Sequence, residues 1–219
     1  MAFSDELLDE GAELWEAQKQ HPFVVELARG ELDEDAFLHW VKQDYRYLLD
    51  YARVFSIAGS RARDEETMTK LVGIADTTLS YEMDLHRDFA SGYGLSRADL
   101  EEVEKAPTCV AYTNYLLRVA YEGSLAEIAA AIYPCGQGYL DIARHMDELA
   151  DGEHRYTPFI EKYTSEEFVD VVGWMAEFVD DCAERYPGER ERMRAAFTRS
   201  ARLEHAFWGM CYTQEGWDV

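Results

Sequence analysis

From Glu34 to Ala62 the chain reads EDAFLHWVKQDYRYLLDYARVFSIAGSRA, with apolar residues recurring three or four positions apart along its whole length. That period is the signature of an α-helix with one buried face, and a period of two, which a half-buried strand would need, appears nowhere in the sequence. The same pattern continues between clear start and stop signals. Ser4 predicts a first helix through about Lys19, and after "HPF" a short segment ends near Gly30. Asp33 starts the long helix quoted above, and Asp64 opens another that runs to about Phe89, where "SGYG" stops it. "SRAD" at 96–99 is a capping box for a brief helix to Lys105, and Pro107 separates it from "CVAYTNYLLRVAYE", which ends at Gly123. "SLAE" at 124–127 is a second capping box. Ser165 caps "EEFVDVVGWMAEFVDDCAERY", and Pro187–Gly188 precede a final helix from Glu189 to about Gln214. Loops are short, and no repeat, linker or low-complexity tract intervenes. The expectation is a single all-α domain over residues 1–219, a helical bundle.

The charge balance narrows the function classes. Acidic residues number 44 against 21 basic ones, a net charge of −23, and the basic set is 16 Arg with only 5 Lys. Such a surface repels phosphates and anionic headgroups, so neither nucleic acid nor membrane is expected as a partner. An acid-rich, lysine-poor composition suits a high-salt cytoplasm, where screening removes most of the self-repulsion. No apolar run is long enough for a membrane span, and the acidic N-terminus lacks the features of a signal peptide. Cys109, Cys135, Cys182 and Cys211 are scattered, without zinc-type spacing, as expected of free thiols in the cytoplasm.

The stretch "AIYPCGQGYLDIA" at 131–143 interrupts an otherwise clean helical pattern with Pro134, Gly136 and Gly138. Proline inside a helix costs roughly 3 kcal/mol and each glycine about 1 kcal/mol, which predicts a broken helix. A break there would expose Cys135 at an irregular turn, and the glycines would let a ligand or another chain approach closely. The other three cysteines read as inert small apolar residues.

Helical spacing also groups polar and aromatic residues into faces. Trp40, Asp44, Tyr47 and Tyr51 form one stripe, and Glu204, Phe207, Trp208 and Cys211 another. Cys135 and Tyr139 lie four apart, and the helix after Pro107 offers Tyr112 and Tyr115. Aromatic stripes are ordinarily just core. A carboxylate within one is different, because a buried ionised Asp or Glu needs a partner. The set suits a cavity for a flat, polar heteroaromatic ring, with tyrosines to stack and carboxylates to hold ring nitrogens and an amino group. Glu82 and His86, four apart, could ligate a metal in a bundle. The repeated Glu-x-x-His of di-iron sites is missing, so no metal or other cofactor is expected and the two read as a structural pair.

Four segments together, "WVKQDYRYL" at 40–48, "YPCGQGYLDI" at 133–142, "FIEKYTSEEF" at 159–168 and "LEHAFWGMCY" at 203–212, resemble the TenA/thiaminase II family over essentially the whole chain. The resemblance implies a haem-oxygenase-like helical bundle that binds no haem and assembles as a homotetramer. It implies hydrolysis of aminopyrimidines such as 4-amino-5-aminomethyl-2-methylpyrimidine to 4-amino-5-hydroxymethyl-2-methylpyrimidine in thiamine salvage, a reaction to which many members of the family add cleavage of thiamine itself. Carried over by position, it makes Cys135 the nucleophile, Glu204 the acid/base and Tyr47 the residue that tunes the cysteine. It makes Asp44 and Tyr139 the substrate-binding pair, with Tyr112 and Tyr163 as further lining. Many relatives have Trp two residues after the cysteine, where this chain has Gln137 between two glycines. Two rival readings are a metal-dependent oxygenase on the same scaffold and a non-enzymatic regulator. The first wants inward histidine and carboxylate ligands, and the second a basic or exposed recognition surface.

Overall fold

The computed structural model describes residues 1–218, and among them every regular element is helical. Twelve α-helices follow in order: α1 Phe3–Glu10, α2 Ala12–Lys19, α3 Pro22–Ala28, α4 Glu34–Arg61, α5 Glu65–Thr77, α6 Met83–Gly92, α7 Arg97–Glu102, α8 Pro107–Glu122, α9 Leu125–Leu149, α10 Thr157–Thr164, α11 Glu166–Arg185 and α12 Arg190–Thr213. A π turn, Thr78–Glu82, joins α5 to α6, and a 3₁₀ turn, Pro187–Glu189, precedes α12.

Local chemistry accounts for most of the starts. Asp33 accepts from the Asp35 and Ala36 amides, Asp64 from Thr67 and Ser165 from Phe168, each occupying an amide that the first helical turn leaves unpaired. Ser96 and Asp99 form the reciprocal capping box expected of "SRAD". Ser4 behaves otherwise. It lies inside α1, which is one of two helices separated at Gly11, and both its amide and its hydroxyl donate to the Asp180 carboxylate of α11, at 2.7 and 3.0 Å. A distant acid captured the residue that local pattern assigned to a cap. The helix expected from Asp64 to Phe89 is likewise interrupted, by the π turn.

The helices form two compact units, neither contiguous in sequence. Among the described residues, one comprises Met1–Leu32 and Ala126–Gly209, the other Asp33–Leu125 and 210–218. In the second unit α4 is the centre and packs against α5, α6 and α8. Gly59 lets α5 come close, since a Cβ there would meet Val72 Cγ2 at 3.0 Å.

In the first unit α9 is buried almost all round from Ala126 to Met146. The break expected in it is absent: α9 runs helically through Pro134, Gly136 and Gly138. Proline leaves the Ala130 carbonyl without its usual amide and crowds the preceding turn. The next carbonyl, that of Ala131, accepts the hydroxyl of the fully buried Ser200 of α12 at 2.6 Å. The glycines serve helix packing. A Cβ on Gly136 would sit 2.9 Å from Met175 Sδ of α11, and one on Gly138 3.3 Å from the Trp15 ring of α2. The close approach anticipated at these positions is therefore made by neighbouring helices.

Candidate active site

All seven residues singled out from the sequence are buried, and they divide between the units. Cys135, Tyr139, Tyr163 and Glu204 belong to the first, and Asp44, Tyr47 and Tyr112 to the second.

In the first unit, Tyr139 follows Cys135 by one turn of α9. Its ring meets Tyr163 of α10 at 4.7 Å between centroids and Trp208 of α12 at 5.0 Å. Trp208 is fixed in turn by Phe23 at 5.3 Å and by its indole N–H, which donates to Gln18 at 3.3 Å. Glu204 lies on α12 one turn before Trp208 and is 2% exposed. The missing side chain at Gly138 brings it close to α9, because a Cβ there would be 3.8 Å from Glu204 Cγ and 3.7 Å from Gln18 Oε1. Gly138 is three residues from Cys135, on the same side of the helix. Thiol, tyrosine and carboxylate are thus grouped within a single unit. Gln137 takes no part in this face, and its side-chain oxygen accepts from the Tyr133 hydroxyl at 3.3 Å.

In the second unit the α4 stripe is buried throughout. Tyr47 stacks on Tyr51 at 5.4 Å and leans on Tyr112 of α8 at 4.9 Å. Tyr115 is half-buried, with the Arg118 guanidinium 5.5 Å from its ring. The Asp44 carboxylate meets His86 of α6, with Oδ2 and Nε2 2.7 Å apart and both side chains buried. The other ring nitrogen of His86 is 3.1 Å from the Glu82 carbonyl, and Trp40 packs against the ring at 4.9 Å. Burial lowers the His86 pKa, but the hydrogen bond and charge of Asp44, with Glu82 adding to them, outweigh it, and the net shift is upward.

His86 is the residue the spacing argument misread. Its four-residue interval from Glu82 is real, but the contact is to the Glu82 backbone, and the carboxylate partner is Asp44, 42 residues earlier. The available signal was Asp44 itself, since an acid in an aromatic stripe requires a partner. Among the described residues no group of three or more His, Cys, Asp or Glu is placed to hold a metal ion. Burial pushes the thiols of Cys109 and Cys182 up to about 12, so both stay protonated near neutral pH, in keeping with inert packing roles. His21, unremarked in the sequence, caps α3 by accepting from the Phe23 amide at 3.2 Å. Burial, then the nearby His205, lowers its pKa to about 4.

A thiol, a carboxylate and several tyrosines are buried on an all-α frame whose fold is haem-oxygenase-like. The same fold occurs in a Shewanella denitrificans domain described as heme oxygenase-like, at TM-score 0.75 and 14% identity, covering 96% of this chain and 92% of that one. The TENA/THI-4/PQQC family model matches residues 8–214, and the chain belongs to that family. An aminopyrimidine aminohydrolase of Halalkalibacterium halodurans is 36% identical over 221 residues, covering 100% of this chain and 99% of the relative. That of Bacillus subtilis is 34% identical over 218 residues, covering 99% and 92%. A TenA homologue from P. horikoshii OT3 superposes with TM-score 0.90 at 25% identity, covering 97% of this chain and 99% of that one. No helix among the described residues is long and apolar enough to cross a membrane.

Proposed function

We infer that this chain is an aminopyrimidine aminohydrolase that works by cysteine covalent catalysis in thiamine salvage. Full-length similarity to relatives bearing that name supports the reaction class. The observation that carries the mechanism is the proximity of Glu204 to α9 at Gly138, one turn from Cys135. In the proposed reaction the Cys135 thiolate adds to an electron-poor carbon of the pyrimidine while Glu204 delivers a proton to a ring nitrogen. Ring aromaticity is lost, and the amine, protonated on its nitrogen, departs from the exocyclic methylene as the neutral amine with the electron pair of its bond. Water adds to that methylene and gives up one proton, which the released amine takes; Glu204 takes the ring proton back, and expulsion of the thiolate restores the ring. The sum is one water consumed and one amine released per hydroxymethylpyrimidine formed.

Asp44 and Tyr139 are assigned to holding the pyrimidine, Tyr112 and Tyr163 to lining it, and Tyr47 to tuning Cys135. The presence of Cys135 supports membership of the cysteine-containing class. A cytoplasmic homotetramer is the corresponding family expectation, to be measured by sedimentation in high salt.

The test is turnover of 4-amino-5-aminomethyl-2-methylpyrimidine by purified protein. Cys135→Ser is expected to abolish it with the helical content intact. Glu204→Gln, which keeps shape and much of the hydrogen bonding, is expected to lower kcat by about 10²–10⁴-fold and remove one limb of the pH–rate profile. Full activity in the serine variant would refute the covalent route, and an unaltered pH profile in the glutamine variant would move the acid/base elsewhere.

A further inference from the structure

We propose that His86 is a positioning residue that keeps the Asp44 carboxylate ionised, acceptor-only and fixed in plane for the amino group of the pyrimidine. This rests on the assignment of Asp44 to the substrate given above. The carbonyl of Glu82 can only accept, so Nδ1 of His86, 3.1 Å away, carries a hydrogen. If the ring were neutral, Nε2 would then present a lone pair to Oδ2 of Asp44 at 2.7 Å, and two acceptors would face each other. A proton must lie between them. A carboxyl group ordinarily gives up its proton well before an imidazolium does, so that proton belongs to the ring. His86 and Asp44 are therefore a buried ion pair.

The surroundings hold the ring in that pose from three sides. The π turn Thr78–Glu82, closed by the Met83 amide on the Thr78 carbonyl, inserts an extra residue into the helical path just before His86 and so turns α6 relative to α5. Trp40 lies against the ring with a 36° tilt and limits its rotation. Glu82 fixes one nitrogen and Asp44 the other. The charged groups facing His86 are thus Asp44 from α4 and Glu82 from the π turn. From α8, the titratable neighbour of Asp44 is the Cys109 thiol, which burial keeps protonated.

The pairing has a chemical consequence. An aminopyrimidine offers an N–H donor from its amino group. A protonated Asp44 could answer with a donor of its own, whereas an ionised Asp44 can only accept. His86 removes that ambiguity, and its hydrogen bond holds the carboxylate plane so that no reorientation is needed when the ring arrives.

Two measurements test this. In ¹⁵N-histidine-labelled wild-type protein near neutral pH, with His86→Phe used for assignment, both His86 ring nitrogens should carry the signature of protonated imidazolium. A lone-pair nitrogen signal from His86 overturns the proposal. In kinetics, His86→Phe, which fills the space beside Trp40 but cannot donate, should raise KM roughly tenfold with a smaller change in kcat, as expected when a charged hydrogen bond to the binding group is lost. His86→Gln, whose amide can still donate to Asp44, should recover most of the loss. A purely structural histidine would lower the folded fraction and scale kcat at constant KM in both variants, and that result also overturns it. If the wild-type protein turns over no aminopyrimidine, the functional reading fails, and the nitrogen spectrum still decides the ion pair.

Discussion

Replacing Ser200 by Ala removes the hydroxyl that donates to the Ala131 carbonyl at 2.6 Å, in a place where neither group reaches water. The hydrogen bond itself contributes about 1 kcal/mol net. The Ala131 carbonyl still faces the Cys135 amide in the unbroken helix, so the expected loss is about 1 kcal/mol. At this chain length that corresponds to a fall of roughly 2–4 °C in Tm. Coupling to the proline is also expected. Pro134 leaves the neighbouring Ala130 carbonyl without its amide and crowds the turn that Ser200 braces, and Pro134→Ala restores that amide. In the Pro134→Ala background the loss on Ser200→Ala should therefore shrink by about half. Thermal melts and urea titrations of the four proteins, at one fixed salt concentration, measure the cycle. Equal losses in both backgrounds, or a loss below about 0.5 kcal/mol in the parent, would refute the idea that Ser200 supports the proline-containing helix.

Two further outcomes follow from charge. With a net charge of −23, the folded state should gain stability as sodium or potassium chloride rises toward molar levels, and a flat or falling Tm would contradict the halophile reading of the composition. His21 has a folded-state pKa of about 4, below its unfolded value of 6.5, so protons bind the unfolded chain more readily. Its contribution is fully present above about pH 6.5 and is lost as pH falls toward 4. His21→Asn, which keeps an N-cap acceptor but does not titrate, should flatten stability across that window, and an unchanged pH profile would show that other groups govern it.

Two histidine-containing details show where reading the sequence stopped. The Asp44 stripe was legible because Trp40, Tyr47 and Tyr51 recur at helical spacing, yet the partner of Asp44 was not. His86 comes from another helix, and a π turn, which no local periodicity announces, precedes it. His21 was invisible for a related reason: its capping role follows from its ring orientation and its low pKa from burial and His205.

By itself the sequence determined the all-α class, the starts of α4, α5, α7 and α11, and the aromatic faces carrying Asp44, Cys135 and Glu204. Those features depend on residues within a turn or two of one another, where capping oxygens and a 3.6-residue period act directly. Only the tertiary structure decided that α9 stays whole through Pro134. The penalty local to the proline is real, but the burial of α9 on nearly every side offsets it. The same holds at Gly136 and Gly138, which look like breaks when read along the chain and are contact points for Met175 and for Trp15 across it. Whether such residues end a helix depends on what packs against them, and that is set by the neighbouring helices.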